Sequence, residues 1–170
     1  MLRTDNRPLA FRTLKPLYEH RIATPYAPVY LPQNYNFATS GEIYPGMVAA
    51  GPISQNPTRV RLATKSTDKF FGLFAHNCNR EINELHDGNH VTAVWYGVGS
   101  CWRIFAPAFN VDESYAVPND GSEVLLTWDN TGRLCPVGSA SAVGGQAVAK
   151  LIGVGTNFID IQLIAPEDLA

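Results

Sequence analysis

Charged residues are scarce in this sequence: they make up 16% of 170 residues, against 45% hydrophobic ones. That balance is low in charge for a freely diffusing enzyme and suits a surface covered by partners. Cysteine is scarcer still. Cys78, Cys101 and Cys135 are odd in number, widely spaced and without a CxxC pair, which excludes a disulfide framework and a zinc knuckle and predicts buried free thiols. No run approaches the roughly 20 apolar residues that cross a bilayer, and no charged-then-apolar leader opens the chain. The expectation is a protein made and kept in the cytosol until assembly. The sole Asn-x-Ser/Thr match, Asn56-Pro57-Thr58, is spoiled by its proline. There is no internal repeat and no low-complexity segment. A pI near 6.0 argues against a nucleic-acid partner.

What is abundant early is proline. Pro8, Pro16, Pro25, Pro28 and Pro32 fall within residues 1–40 and leave no room for a helix of ordinary length. Extended backbone is expected, and forty such residues reach roughly 100 Å. Arg3, Arg7, Arg12, Lys15 and Arg21 against Asp5 and Glu19 give this arm a net charge of +3, so the total of −2 leaves the other 130 residues at −5. Residues 22–41 carry no formal charge but hold Tyr26, Tyr30, Tyr35 and Phe37, the wrong composition for a solvated tail. Rigid aromatics between prolines suit an interface. Two placements fit residues 22–40, wrapping their own domain or gripping another molecule; for residues 1–21 the reading is intermolecular contact.

Residues 41–170 read as one β-rich domain. Turn chemistry recurs at Gly51-Pro52, Asn56-Pro57, Asp87-Gly88-Asn89, Asn119-Asp120-Gly121, Asp129-Asn130-Thr131-Gly132 and Gly144-Gly145. Residues 59–64 alternate polar with apolar, as a strand with one wet face does. Residues 91–96 and 101–106 are rich in β-branched and aromatic residues, and Gly97-Val98-Gly99-Ser100 between them reads as a hairpin loop. Residues 123–128 and 133–137 flank a second tight turn in which Asn130 or Gly132 supplies positive φ. Residues 146–154 and 158–164 form a third hairpin, with Ile159, Ile161 and Leu163 on the core face and Asp160 and Gln162 on the other. A short acidic tail, residues 165–170, ends the chain. One helix is predicted, over 77–86, with Asn77 or Asn79 as cap and Gly88 as stop. About eight strands and this helix make an all-β small barrel or sandwich.

No chemical motif survives inspection. His86 and His90 flank Asp87 at i, i+4, with His76 and Cys78 nearby, but Gly88 and Asn89 break the helix that would align a metal pair. Gly97-Val98-Gly99-Ser100 and Gly153-Val154-Gly155-Thr156 lack the following helix and Lys of a phosphate loop, and read as hairpin turns. All four histidines precede residue 91 and there is no Gly-x-Ser-x-Gly elbow, so nothing recommends a triad. Asp112-Glu113 reads as a solvated carboxylate pair. Trp95, Trp102 and Trp128 with Tyr96 fit either core aromatics or a sugar-stacking platform. The expectation is no catalytic residue, metal, cofactor, nucleic-acid or membrane partner, with a carbohydrate-binding module using exposed aromatics as the alternative function.

A family resemblance rests on further patterns. Gly41-Glu42-Ile43-Tyr44-Pro45-Gly46-Met47-Val48, Val60-Arg61-Leu62-Ala63-Thr64 and Phe71-Gly72-Leu73-Phe74-Ala75 resemble the opening of tailed-bacteriophage capsid decoration, or cement, proteins. Ile104-Phe105-Ala106-Pro107-Ala108-Phe109, the turn from Leu125 to Leu134 and the closing hairpin are similar to their β-rich cores. The resemblance implies a small β-barrel or β-tulip-like body on the outer surface of a phage head, a homotrimer bound to major capsid protein that locks capsomers together. The arm is longer and more aromatic than in the short-armed members. Its expected capsid contacts are Arg3, Arg7, Phe11, Arg12, Tyr18, Tyr26 and Tyr30.

Overall fold

A computed structural model describes residues 13–17, 26–30, 43–51, 59–75 and 91–169. The described residues form eleven strands: β1 (Leu14–Pro16), β2 (Tyr26–Tyr30), β3 (Val48–Ala50), β4 (Arg61–Leu62), β5 (Phe70–Phe74), β6 (Val91–Trp95), β7 (Cys101–Phe105), β8 (Leu125–Trp128), β9 (Leu134–Pro136), β10 (Gln146–Val154) and β11 (Phe158–Asp168). They build two antiparallel sheets. The first has six strands in the order β1-β7-β11-β10-β8-β9, the second five in the order β2-β6-β5-β3-β4. The expected all-β class is observed; among the described residues neither sheet closes on itself into the expected barrel. The helix expected over 77–86, with His76, Cys78, His86 and His90, lies outside the described residues.

The sheets share one core. Val48, Leu73, Phe74 and Val94 from the second sheet meet Leu14, Trp102, Ile104, Leu126, Trp128, Ile159, Ile161 and Leu163 from the first. Alternation selects the face of β11, where Ile159, Ile161 and Leu163 are buried and the residues between them are not. Backbone bonds also cross between sheets: the Val48 amide donates to the Gly132 carbonyl at 2.8 Å. Gly132 has φ +82°, which closes the β8–β9 turn as expected, and a Cβ there would strike Leu62 of the facing sheet.

A second tie is the loop before β5. Asp68, its side chain fully buried, accepts from the Thr64 amide at 2.9 Å, the Lys65 amide at 3.0 Å and the Arg61 guanidinium. The loop so held offers its Lys65 carbonyl to Trp128 Nε1 at 3.1 Å. Beyond it the Phe70 amide donates to Gln146 Oε1 at 2.9 Å.

Three expectations are corrected. The residues 97–100 do turn, with the Ser100 amide donating to the Gly97 carbonyl at 3.2 Å, but β6 and β7 lie in different sheets and form no hairpin. β11 captures β7 instead, pairing from Phe158↔Phe105 to Gln162↔Cys101. The acidic tail is the end of β11: Glu167 and Asp168 pair with Ala147 and Gln146. Over residues 59–64 burial alternates only as far as Leu62, because Ala63 is buried beside it, and only Arg61–Leu62 forms a strand.

Two stretches of the proline-rich N-terminal region are strands of these sheets. β1 pairs β7 with Leu14 buried opposite Ile104, and β2 is an edge strand on β6. Pro16 and Pro28 sit on edge strands, where a missing amide costs least.

Replacing Asp68 with alanine should cost about 2 kcal/mol, because it removes the buried acceptor of two loop amides and the partner of the half-exposed Arg61 guanidinium. The urea midpoint of Asp68→Ala against wild type measures this; an unchanged midpoint contradicts the role given to the loop.

Candidate interaction surface

The outward face of the six-stranded sheet follows from register. With Trp102 and Ile104 inward, Arg103 and Phe105 face out, and their ladder partners Asp160 and Phe158 with them. On the other flank of β7, Lys15 stands opposite Arg103. The Arg103 guanidinium is 33% exposed and grips Asp160, 15% exposed, through Nε at 2.8 Å and Nη2 at 3.0 Å. That hydrogen bond, partly opposed by desolvation, raises the Arg103 guanidinium above its ordinary pKa. Its carbon centre lies 4.0 Å from the Phe158 ring centroid, and Phe158 meets Phe105 at 5.7 Å. Gly155 lies under the Phe158 ring, where a Cβ would collide. The result is a fixed Arg–Phe–Phe group on an outward sheet face, the residue types that anchor interfaces.

Across the same face Lys150 Nζ meets Glu123 at 3.2 Å. At the far edge, residues 107–115 run beside β9. Phe109 bridges Leu134, and the Asn110 amide donates to the Leu134 carbonyl at 2.9 Å. Tyr115 Oη lies 2.6 Å from the Asn110 carbonyl and 3.1 Å from that of Leu134, and its ring meets Phe109 edge-on at 5.4 Å. Burial pushes the Tyr115 hydroxyl far above its usual range. Asp129 is buried and has no ion pair among the described residues. Its carboxylate accepts from the Thr131 amide and hydroxyl, the Arg133 amide and Asn110 Nδ2, at 2.6–3.1 Å. The loop beyond exposes Val111 at 58% and Val117 at 44%.

Of the expected contact residues, Arg3, Arg7, Phe11, Arg12 and Tyr18 lie outside the described residues. Tyr26 and Tyr30 begin and end β2, opposite Trp95 and Val91. The structure corrects two members of the sugar platform, the Trp95 side chain lying outside those described: Trp102 is 3% exposed and Trp128 not at all, so neither offers a face to a glycan. Their indoles serve the core, Trp102 Nε1 donating to Ser100 Oγ at 2.8 Å. Tyr96 is exposed, but it packs at 6.1 Å from Phe71. Cys101 and Cys135 are buried free thiols, as expected. Composition gave no sign of the Arg103–Phe158–Asp160 group, in which Arg103 lies 57 residues from Asp160 and meets it through the β7–β11 ladder.

The family model for phage cement proteins matches residues 1–169. The chain belongs to the phage cement protein family. Membership carries a capsid-stabilising role and a place in the virion capsid, in a family that is structural and not enzymatic. The match takes in the proline-rich N-terminal region as well as the two sheets. No curated protein and no solved structure matches this cement protein.

Burial pushes the Cys135 thiol up to about 12 from an ordinary 9.0. The unfolded chain releases this proton above pH 9 while the folded cement protein keeps it, so stability is unaffected below pH 9 and falls as pH rises toward 12. The slope from this group approaches about 1.4 kcal/mol per pH unit. Urea unfolding between pH 8 and 10.5 should show a steeper alkaline loss for wild type than for Cys135→Ala; parallel curves contradict it.

Proposed function

We propose that this cement protein binds the outer surface of a phage head and stabilises contacts between capsomers of the major capsid protein. The N-terminal arm reaches over neighbouring subunits, and the protein acts as a homotrimer without enzymatic chemistry. Arg3, Arg7, Phe11, Arg12 and Tyr18 supply the arm's contacts, the cations meeting acidic capsid surface and the aromatics filling seams. Tyr26 and Tyr30 contribute from the edge strand β2. The observation that carries this reading is the family match, which extends over residues 1–169 and so includes the arm.

The way the arm is anchored supports it. A clamp must pass force from its contact points to a body that does not yield. β1 is laddered to β7 with Leu14 in the core, and β2 to β6 in the other sheet, so tension on residues 1–12 is taken up by two ladders and a shared core. Each contact is then repeated over a symmetric lattice, which multiplies weak local affinity into durable attachment.

The structure also decides where to cut. Deleting residues 1–21 would remove an edge strand and a buried leucine; deleting residues 1–12 leaves β1 whole. The 1–12 deletion should fold with an unchanged urea midpoint and occupy purified heads lacking this protein at least about tenfold less than full-length chain at equal concentration. Wild-type occupancy by the truncated protein contradicts the role of the arm, and failure of the full-length chain to bind heads contradicts capsid attachment itself.

A further inference from the structure

On the outward face of the six-stranded sheet, positive charge is in excess at the β1 edge. Lys15, Arg103 and Asp160 stand in one row across β1, β7 and β11, two cations against one carboxylate. Asp160 takes Nε and Nη2 of Arg103, so three of the five guanidinium N–H groups have no acceptor among the described residues. Lys15 is exposed and has no ion pair among the described residues either. Like charges directly opposite each other on a sheet are unfavourable, and an anion laid across both relieves them.

Apolar surface adjoins this row. Phe105 and Phe158 face each other across the β7–β11 ladder, both half-buried, and the bulge in β10 opposite Asp160 and Ile161 leaves Ile152 37% exposed. The arrangement is set before any partner arrives. Arg103 is held at once by the Asp160 carboxylate and by the Phe158 ring. Gly153 and Gly155 leave the room that these two side chains occupy: a Cβ at Gly153 would press on Asp160, and one at Gly155 would strike the Phe158 ring. Side chains fixed in advance lose little rotamer freedom on binding. The same packing disfavours a sugar, since Arg103 lies over the Phe158 ring and Gly155 under it, which leaves that ring no open face for stacking.

We propose that this face, through Lys15, Arg103, Phe105 and Phe158, is where the body of the cement protein docks on the major capsid protein, on a capsid segment that presents a carboxylate beside an apolar side chain. The carboxylate meets Lys15 and the unused N–H groups of Arg103, and the apolar side chain covers Phe105 and the rim of Phe158. Two observations select this occupant. The row is net positive on a chain whose total charge is −2, which complements an acidic patch. Its border is β1, the strand by which the N-terminal region enters the sheet, so the face continues the surface to which capsid attachment is assigned. The proposal rests on that attachment and adds to it a contact made by the sheet itself.

The test uses the full-length chain and purified heads lacking it, with near-UV circular dichroism to check that each variant is folded. Lys15→Glu, which breaks no ion pair among the described residues, should weaken head binding at least about tenfold, whereas Lys15→Arg should bind as wild type does. Phe105→Ala should weaken binding at least about fivefold. Asp112→Lys, in the segment beside β9 at the opposite edge of the sheet, should leave binding unchanged. With p-benzoylphenylalanine in place of Phe105, irradiation of loaded heads should cross-link the chain to major capsid protein, at a segment containing Asp or Glu. Undiminished binding by either Lys15→Glu or Phe105→Ala overturns the proposal, as does a cross-link to a second copy of this chain, to another head component or to nothing; wild-type binding in the same assay would leave capsid attachment standing. Heads that take up no wild-type protein overturn the attachment and this contact together.

Discussion

Strand β11 is the element on which the rest of this fold depends. It is laddered on both flanks, to β7 along Phe158–Gln162 and to β10 along most of its length. Its inward Ile159, Ile161 and Leu163 lie in the core that both sheets share. Its outward Phe158 and Asp160 fix Arg103. At its far end Asp168 meets Lys69 at 3.2 Å and Gln146 at 3.1 Å, joining the strand to the loop that Asp68 organises in the second sheet. The Gln146 hydrogen bond and then the nearby Lys69 hold the Asp168 carboxyl below the usual carboxylate range. Remove β11 and β7 loses its principal partner, and with β7 goes the anchorage of β1.

That dependence explains how the proline-rich N-terminal region combines with a rigid body. β1 is three residues long and ends in proline, too little to hold itself. It persists because β7 is already fixed by β11 and because Leu14 fills a place beside Ile104. β2 has a similar position at the edge of the other sheet. A cement protein has to carry load from contact points into a compact domain, and strand ladders resist that load better than a flexible linker does.

How much of this was legible in the sequence depended on whether partners are local. The β10–β11 hairpin could be read because alternation and a Gly-Thr-Asn turn lie in one stretch, and the β8–β9 hairpin because Gly132 supplies the required φ. The segment Gly97-Val98-Gly99-Ser100 carries the same local signal, yet the strands it joins part into different sheets. Turn chemistry says that the chain bends, not which strand it bends toward. Residues 165–168 read as a tail because proline and two carboxylates are poor strand formers, and the partners that recruit them, Gln146 and Lys69, are remote in sequence. Trp102 and Trp128 were ambiguous for a related reason: composition identifies aromatics, whereas the register against β11 and the Lys65 carbonyl determines which way they face. The basic and aromatic character of residues 1–40 is a property of the sequence itself. The Arg103–Asp160–Phe158 group is not, since it exists only once the β7–β11 ladder brings these side chains together.

The central claim is that this protein is a lattice-bound cement of the phage head. Its most direct test is the copy number of this chain relative to major capsid protein in purified virions, measured by quantitative mass spectrometry. The account predicts many copies per particle in a simple ratio to capsid subunits. A handful of copies, as at a vertex or tail, or none at all, would contradict it.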